Sequence, residues 1–526
     1  MPANLRLMAR PAVRALLLGT LLAGCTVGPD FVPPKADTPA GWTGRAPMSV
    51  PASKEASAVT AAPITVAAWW TSFDDATLTS LAERAAASNL DLRQAVLRIA
   101  EARAARDIAA AAQWPNLSGN GSFTRERISE KTALTSLLGS FGGAAGGPSG
   151  GVSMALPGLK NPFNQFQYGF DASWEIDLFG RVRRSVEAAD ADTAASVEGS
   201  RDVLVSLLGE VARAYIDLRG AQLRRSILEE NLATERDVLA LARDRRQAGT
   251  GNDLDVANAA AEVTSTEAQL PAVTTRITQD INQLSFLLAL EPGALGAELE
   301  SAKPVPLVPP QVPIGLPADI VRRRPDIRNA EAELHAATAR VGVAVADLFP
   351  RLTLNADVGL QAEHFGDLGN WASRFFSIGP DLEVPIFSGG QRQATVRLQD
   401  VKAKEAALAY ARSVLAALHD VENALAAYGP EQSRRASLEA TVAQNRDALA
   451  LARQRYASGV TTFLDVLDAE RTLQAAELSL ADSTTAVSTD LVALYKALGG
   501  GWEVQPSAVN AAAAGARAEA HDSDPR

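Results

Sequence analysis

The chain repeats itself, and the repeat limits what it can fold into. Leu241-Ala242-Arg243-Asp244-Arg245 returns as Leu451-Ala452-Arg453-Gln454-Arg455, and at the same offset of 210 residues Gly249 meets Gly459 and Leu254-Asp255-Val256 meets Leu464-Asp465-Val466. The register continues through Ala259/Ala469, Glu267/Glu477, Leu270/Leu480 and Asp280/Asp490, a run that chance does not sustain. Upstream, Asp91-Leu92-Arg93 matches Asp326-Ile327-Arg328 and Trp114-Pro115-Asn116-Leu117 matches Phe349-Pro350-Arg351-Leu352 at an offset of 235, so the first copy holds 25 extra residues, in or near the glycine-rich stretch Gly139 to Gly151. Between the copies, residues 300–317 carry prolines at 304, 306, 309, 310, 313 and 317 and read as an extended polyproline connector. The organisation is a first repeat at 75–299, the connector, a second repeat at 318–501 and an alanine-rich tail at 502–526 that is expected to be disordered.

Within each copy the hydrophobic period switches twice. Residues 75–113 and 317–347 are alanine-rich and helical in pattern. From Gln165 the chain alternates strictly, with Phe166, Tyr168, Phe170, Ala172, Trp174 and Ile176 on one face and Gln167, Gly169, Asp171, Ser173, Glu175 and Asp177 on the other. Leu352, Leu354, Ala356, Val358 and Leu360 alternate in the same way, as do Phe376, Ile378, Leu382 and Val384, and residues 117–126 do so more weakly. Four strands follow, at about 115–127, 164–177, 350–363 and 374–386. After each pair comes a long helical hairpin, at about 181–290 and 391–498. Its first arm has 68 residues between Gly180 and Gly249 and 68 between Gly390 and Gly459, the latter interrupted by Gly429-Pro430. At 1.5 Å per residue an unbroken arm is roughly 100 Å long. Apolar stripes at helical spacing line both hairpins: Leu204, Leu208, Val211, Tyr215 and Leu218; Val414, Leu418, Val421, Leu425 and Tyr428; and on the first returning arm Leu270, Val273, Ile277, Ile281, Leu284 and Leu288.

The N-terminus gives the destination. Arg6, Arg10 and Arg14, the apolar run Ala15 to Leu22, and Leu22-Ala23-Gly24-Cys25 read as an export signal at 1–24 ending in what resembles a bacterial lipobox. Cys25 would carry the lipid and begin a lipidated, extended segment at 25–74; Thr26, rather than aspartate, follows it, which implies the outer membrane. No apolar run approaches the ~20 residues of a spanning helix. With 61 acidic against 50 basic residues and a net charge of −11, nucleic acid is an improbable partner. A single cysteine and the scattered His335, His364, His419 and His521 supply no metal site, and no nucleophile, histidine and acid set stands out, so no cofactor and no enzymatic activity are expected. Gly146-Gly147-Pro148-Ser149-Gly150-Gly151 lacks the Lys-Ser or Lys-Thr of a phosphate loop and reads as a loop outside the cell.

Strands with one apolar and one polar face suit a barrel in lipid, yet four cannot close one, since the smallest known types use eight. Other chains must supply the rest, and three copies would give twelve. The chain resembles the TolC-like outer-membrane factors, in their OprM-like lipoprotein branch. The resemblance is carried by Cys25-Thr26-Val27-Gly28-Pro29-Asp30-Phe31-Val32-Pro33-Pro34, the Trp114-Pro115 and Phe349-Pro350 corners, Asp177-Leu178-Phe179-Gly180, Arg322-Arg323-Arg324-Pro325-Asp326-Ile327, and Arg455-Tyr456-Ala457-Ser458-Gly459 followed by Leu464-Asp465-Val466-Leu467-Asp468-Ala469. It implies a mostly α fold with a transmembrane β-barrel: a homotrimer forming a twelve-stranded barrel in outer-membrane lipid and an α-helical tunnel extending into the periplasm of a Gram-negative bacterium. It further implies a periplasmic adaptor and an inner-membrane RND-type pump as partners in a tripartite efflux system, with small molecules conducted passively. A type I protein or polysaccharide secretion duct is the alternative; a lipid-anchored coiled-coil scaffold would leave the strands without purpose.

The same resemblance places the helix turns at Gly249 and Gly459 at the periplasmic tip, where an adaptor would dock, and a closing gate at Asp255, Tyr456, Leu464, Asp468 and Arg471. Physically, acids repeated around a threefold axis repel, arginines between them latch neighbouring chains, and a leucine ring excludes water. The plainer reading of Asp468 and Arg471, three apart on a helix, is an exposed ion pair. Arg246 stands opposite Tyr456 in the repeat and Gly251 adds a second glycine to the first turn, so the two tips are not equivalent. Asp171, Glu175, Asp177, Asp357, Asp381 and Glu383 on the polar strand faces would give a lumen a mild cation preference, or serve simply as polar lining.

Overall fold

The computed structural model describes residues 26–42, 57–60, 62, 67–127 and 162–503. The expected signal peptide at 1–24, Cys25, the glycine-rich stretch 139–151 and the tail beyond residue 503 lie outside the described residues. In chain order the elements are β1 (Ala58–Thr60), α1 (Ala76–Ser88), α2 (Leu90–Ala111), β2 (Asn116–Glu126), β3 (Phe163–Ile176), α3 (Arg181–Gln247), α4 (Asp253–Leu287), β4 (Gln311–Pro313), α5 (Pro317–Arg323), α6 (Pro325–Ala346), β5 (Arg351–Ala362), β6 (Arg374–Glu383), α7 (Gln391–Ala457) and α8 (Phe463–Ala497). The duplication is exact in length where it matters: α3 and α7 each have 67 residues, α4 and α8 each 35.

The described residues pack as two compact units that cut across the repeats. One draws on the described residues within 1–31, 104–190 and 336–403, the other on those within 32–103, 191–335 and 404–526. The first unit holds a four-stranded antiparallel sheet in the order β2-β3-β5-β6. Its register explains the alternation. Phe123 faces Phe166, Phe170 faces Val358, and Val358 faces Phe376, so one face is apolar from edge to edge. Asp171 faces Asp357 and Asp357 faces Ser377 on the other. Three of the six strand carboxylates lie at strand ends and are paired there: Glu175 with Arg181 at 2.6 Å, Asp177 with Arg183 at 3.3 Å and Glu383 with Arg392 at 3.3 Å. These pairs cancel half of the negative face read from the sequence.

In the same unit the segment from Thr26 to Phe31 is fastened in place. The Val27 N–H donates to the Phe179 carbonyl at 3.1 Å, and Asp30 meets the Arg184 guanidinium at 2.5 Å. Gly28, at φ +92°, lies so close to α6 that a Cβ would stand 2.5 Å from the Gly342 Cα.

The second unit is helical, with the expected stripes buried except at Leu270 and Leu418, which are half-buried. Leu204, Leu208, Val211, Tyr215 and Leu218 of α3 are buried with Val273, Ile277, Ile281 and Leu284 of α4 and Val414, Val421, Leu425 and Tyr428 of α7. Trp69 stacks on Tyr495 at 5.3 Å, and the Tyr215 hydroxyl donates to Asp75 at 2.8 Å.

Three expectations are corrected here. α7 runs through Gly429-Pro430 without a break: proline removes one backbone bond, and Tyr428 and Gln432, both buried, hold the helix on either side. The connector is not wholly polyproline, because Gln311–Pro313 pairs in parallel with Ala58–Thr60. The helical stretches before each strand pair are split. Asn89 ends α1 and caps α2, its side chain accepting from Leu92 N–H at 3.0 Å and donating to the Leu287 carbonyl at 2.9 Å. Arg324 is held extended by the proline that follows it.

The sheet supplies a test of its packing. Gly169 and Gly359 are direct partners, and a Cβ on Gly359 would stand 2.5 Å from the Tyr168 carbonyl oxygen, whereas a Cβ on Gly379 would meet nothing within 4 Å. Gly359→Val should destabilise the sheet by about 1–3 kcal/mol, lowering the temperature at which the β-sheet circular dichroism signal is lost. Gly379→Ala should leave that temperature unchanged.

Candidate functional site

The turns between the helical arms are built by their own sequence. At each, a glycine takes the left-handed conformation that ends a helix, Gly249 at φ +74° and Gly459 at φ +73°. The Gly249 N–H donates to the Arg246 carbonyl and the Thr250 N–H to that of Arg245; Gly459 and Val460 repeat the pair on Tyr456 and Arg455. The returning helices are capped in different ways. Asn252 accepts from the Asp255 N–H at 2.8 Å, while Asp465 accepts from the Thr462 N–H at 2.9 Å and its hydroxyl at 2.7 Å. Hydrogen bonds from Thr461 and Thr462 hold the Asp465 carboxyl below its ordinary range. At the first turn Arg246 instead pairs with Asp253.

Behind the turns, all four arms share one apolar core: Leu232 and Leu239 from α3, Ala259 and Val263 from α4, Leu449 and Tyr456 from α7, and Phe463, Val466 and Leu467 from α8. Of the expected gate residues, Tyr456 is in this core. Its ring lies 5.7 Å from that of Phe463, and the Arg245 guanidinium lies over it at 4.1 Å while donating to its carbonyl at 3.3 Å. A cation over an aromatic face, half removed from water, is a strong form of that contact. Leu464 points the other way and is 62% exposed. Asp255 is half-buried and Asp468 exposed.

Arg471 does not turn to Asp468. Its Nε and Nη2 both reach Glu262 of α4, at 2.8 and 2.6 Å. The plain reading of a local Asp468–Arg471 pair therefore gives way to a bond between the two hairpins. A longer side chain reaching a nearly buried carboxylate gains more than one meeting an exposed neighbour, which water screens. Arg453 of α7 reaches Glu470 of α8 at 3.0 Å in the same layer. Burial raises the Glu470 carboxyl from its ordinary value, Arg453 opposing the shift.

Arg245, Glu262 and Glu470 went unrecognised in the sequence, although a signal for the first two was present. Residues that bond across the hairpins stand close to one repeat apart: Arg245 to Tyr456, Glu262 to Arg471 and Thr266 to Gln474 are separated by 211, 209 and 208 positions. The offset of 210 thus gives not only the duplication but the level at which its copies meet.

The comparisons with known proteins agree with this architecture. The outer membrane efflux protein family matches residues 81–290 and 316–500, one stretch per repeat. The solvent efflux pump outer membrane protein SrpC of Pseudomonas putida is 32% identical over 486 residues, covering 92% of this chain and 97% of that protein. Outer membrane protein OprJ of Pseudomonas aeruginosa is 32% identical over 506 residues, covering 94% and 97%. The solved structure of the outer-membrane channel OprN is 35% identical and superposes with a TM-score of 0.79 over 91% of this chain and all of that one. Matched in both repeats and along nearly the whole length of these relatives, the chain belongs to the outer membrane efflux protein family, the TolC-like outer-membrane factors.

Proposed function

We propose that three copies of this outer membrane efflux protein close one twelve-stranded barrel and continue it as a helical duct. Through that duct pass small molecules delivered by an inner-membrane RND-type pump and a periplasmic adaptor. The observation that carries this is the sheet β2-β3-β5-β6, with Phe, Leu, Val and Ile side chains crossing one face and, among the described residues, no partner at either outer edge. An open edge in hydrocarbon leaves backbone N–H and C=O groups unsatisfied, so β6 of one copy needs β2 of the next. A stripe of exposed apolar side chains on α7, Leu398, Val401, Leu408 and Leu415, offers further surface to a second copy. SrpC bears the name of a solvent efflux component, which favours efflux over secretion as the task here. The protein conducts and performs no chemistry.

Cys25 carries the lipid in this reading, and the segment fastened by Val27, Gly28 and Asp30 holds the anchored end against the first unit. The turns at Gly249 and Gly459 receive the adaptor. Asp255, Tyr456, Leu464, Asp468 and Arg471 close the tip at rest, with Arg471 latched onto Glu262 within each chain and the exposed Asp468 and Leu464 left to face other copies.

Purified protein should migrate as a heat-modifiable trimer and form channels in planar bilayers; a water-soluble monomer would sink the duct. Replacing Asp468 and Arg471 together by alanine should raise single-channel conductance and admit large antibiotics, and unchanged conductance removes both from the gate. Cys25→Ser should abolish incorporation of labelled palmitate, whereas label persisting in that variant would place the lipid elsewhere.

A further inference from the structure

The layer behind the turns contains one carboxyl too many. Three acids come together there, Glu235 of α3, Glu262 of α4 and Glu470 of α8, against two guanidiniums. Glu262 takes Arg471 and Glu470 takes Arg453. Glu235, only 3% exposed, has neither. Its Oε1 accepts from the Thr266 hydroxyl at 2.8 Å, and its Oε2 has no hydrogen-bond partner. Thr266 is itself buried and held by Gln474 at 3.2 Å. The groups that face Glu235 are thus Glu262 from α4 and Glu470 from α8, with Arg453 of α7 and Arg471 of α8 engaged on their far sides. The pairs Arg236–Glu267 and Arg446–Glu477, toward the surface, satisfy one another.

The layer is neutral when Glu235 carries its proton and holds a net negative charge inside an apolar four-helix core when it does not. A buried charge without a partner is costly, and the loss falls on whatever packing keeps it buried. The second repeat carries no carboxyl at the equivalent position: it holds Asn445, half-exposed, whose amide donates to the Thr472 carbonyl at 3.3 Å.

We infer that Glu235 is a proton-operated latch on the helical tip, holding the four arms together when protonated and loosening them when ionised. The inference rests on the duct reading for its consequence, and on the geometry of this layer for its mechanism. Burial, reinforced by the neighbouring Glu262 and Glu470 and opposed by the Thr266 bond, pushes the Glu235 carboxyl from its ordinary 4.5 up to about 7. A carboxyl whose value is raised by packing stabilises that packing fully at pH below 4.5 and ceases to do so as pH climbs through about 7. Acid therefore favours the closed tip.

The test titrates the full-length protein in two ways. Single-channel conductance in planar bilayers should rise between pH 5 and pH 8, and the infrared carbonyl band of a protonated carboxylic acid should vanish over the same range, both with a midpoint near 7. Glu235→Gln, which mimics the protonated side chain, should lose the band and hold conductance low at every pH. Thr266→Val, which removes the bond that favours the ionised form, should fold alike and move both midpoints upward. The inference is overturned if Glu235→Gln keeps the wild-type midpoint, or if the band titrates while conductance ignores pH. Failure of the wild-type protein to conduct at all would sink the duct reading, and the infrared midpoint would still decide the proton site.

Discussion

Unpaired backbone groups cannot be left in hydrocarbon, and that constraint governs this chain more than any single contact. The four strands satisfy one another only inwardly; among the described residues β2 and β6 each carry an edge with no partner. A sheet of this kind in water would be an aggregation hazard, and the large side chains exposed on it, Phe123, Phe170, Val358, Phe376 and Ile378, would compound it. In lipid the same side chains are satisfied by their solvent, and under the proposed assembly the edges are met by further copies. The membrane is in this sense a component of the fold, and the outer membrane address is a structural requirement.

The parts of the architecture with a strict period were legible beforehand. Alternation over Phe166 to Ile176 and Leu352 to Leu360 specified which side chains share a face, and the ladder pairs those same residues, because a one-residue slip would carry every apolar group to the polar side. The long arms were legible for the same reason: Leu204 to Leu218 could be apolar at that spacing only on a buried helix face. What escaped was set by single long-range contacts. Pairing of Ala58–Thr60 with Gln311–Pro313 involves three residues on each side, too few for a period. Pro430 looked like a break because local propensity was weighed without the packing that overrides it. At the tip, the resemblance singled out Tyr456 and Arg471 but not the Arg245 and Glu262 they contact, since nothing local marks a residue as lying opposite another some two hundred positions away.

The duplication also separates scaffold from function. Arg236–Glu267 and Arg446–Glu477 are the same ion pair in two copies, each spanning 31 positions, and they tie one arm to the other in each hairpin. Such pairs are exposed, individually weak and interchangeable. Where the copies differ, the chemistry changes character. Tyr456 in the second copy faces Arg246 in alignment, yet it is Arg245 that covers its ring, so a basic residue from one hairpin completes an aromatic residue of the other. Each turn uses the same glycine geometry but a different cap, asparagine in one and a threonine-aspartate pair in the other. The two turns are therefore chemically distinct surfaces.

Asymmetry at the level of Glu235 follows the same logic in energetic form. Had both copies carried an amide there, the two remaining acids of the layer would be matched by Arg453 and Arg471, with no unpaired carboxyl to bury. Had both carried a carboxyl, the second would stand at the half-exposed position 445, where water screens its charge. A single buried carboxyl is thus enough for the gain or loss of one proton to alter the stability of the core. The buried Thr266 hydroxyl, bonded to the carboxyl on one side and to Gln474 on the other, ties that proton to helices from both repeats. Duplication supplied a four-helix core, and divergence at one position placed a single titratable proton inside it.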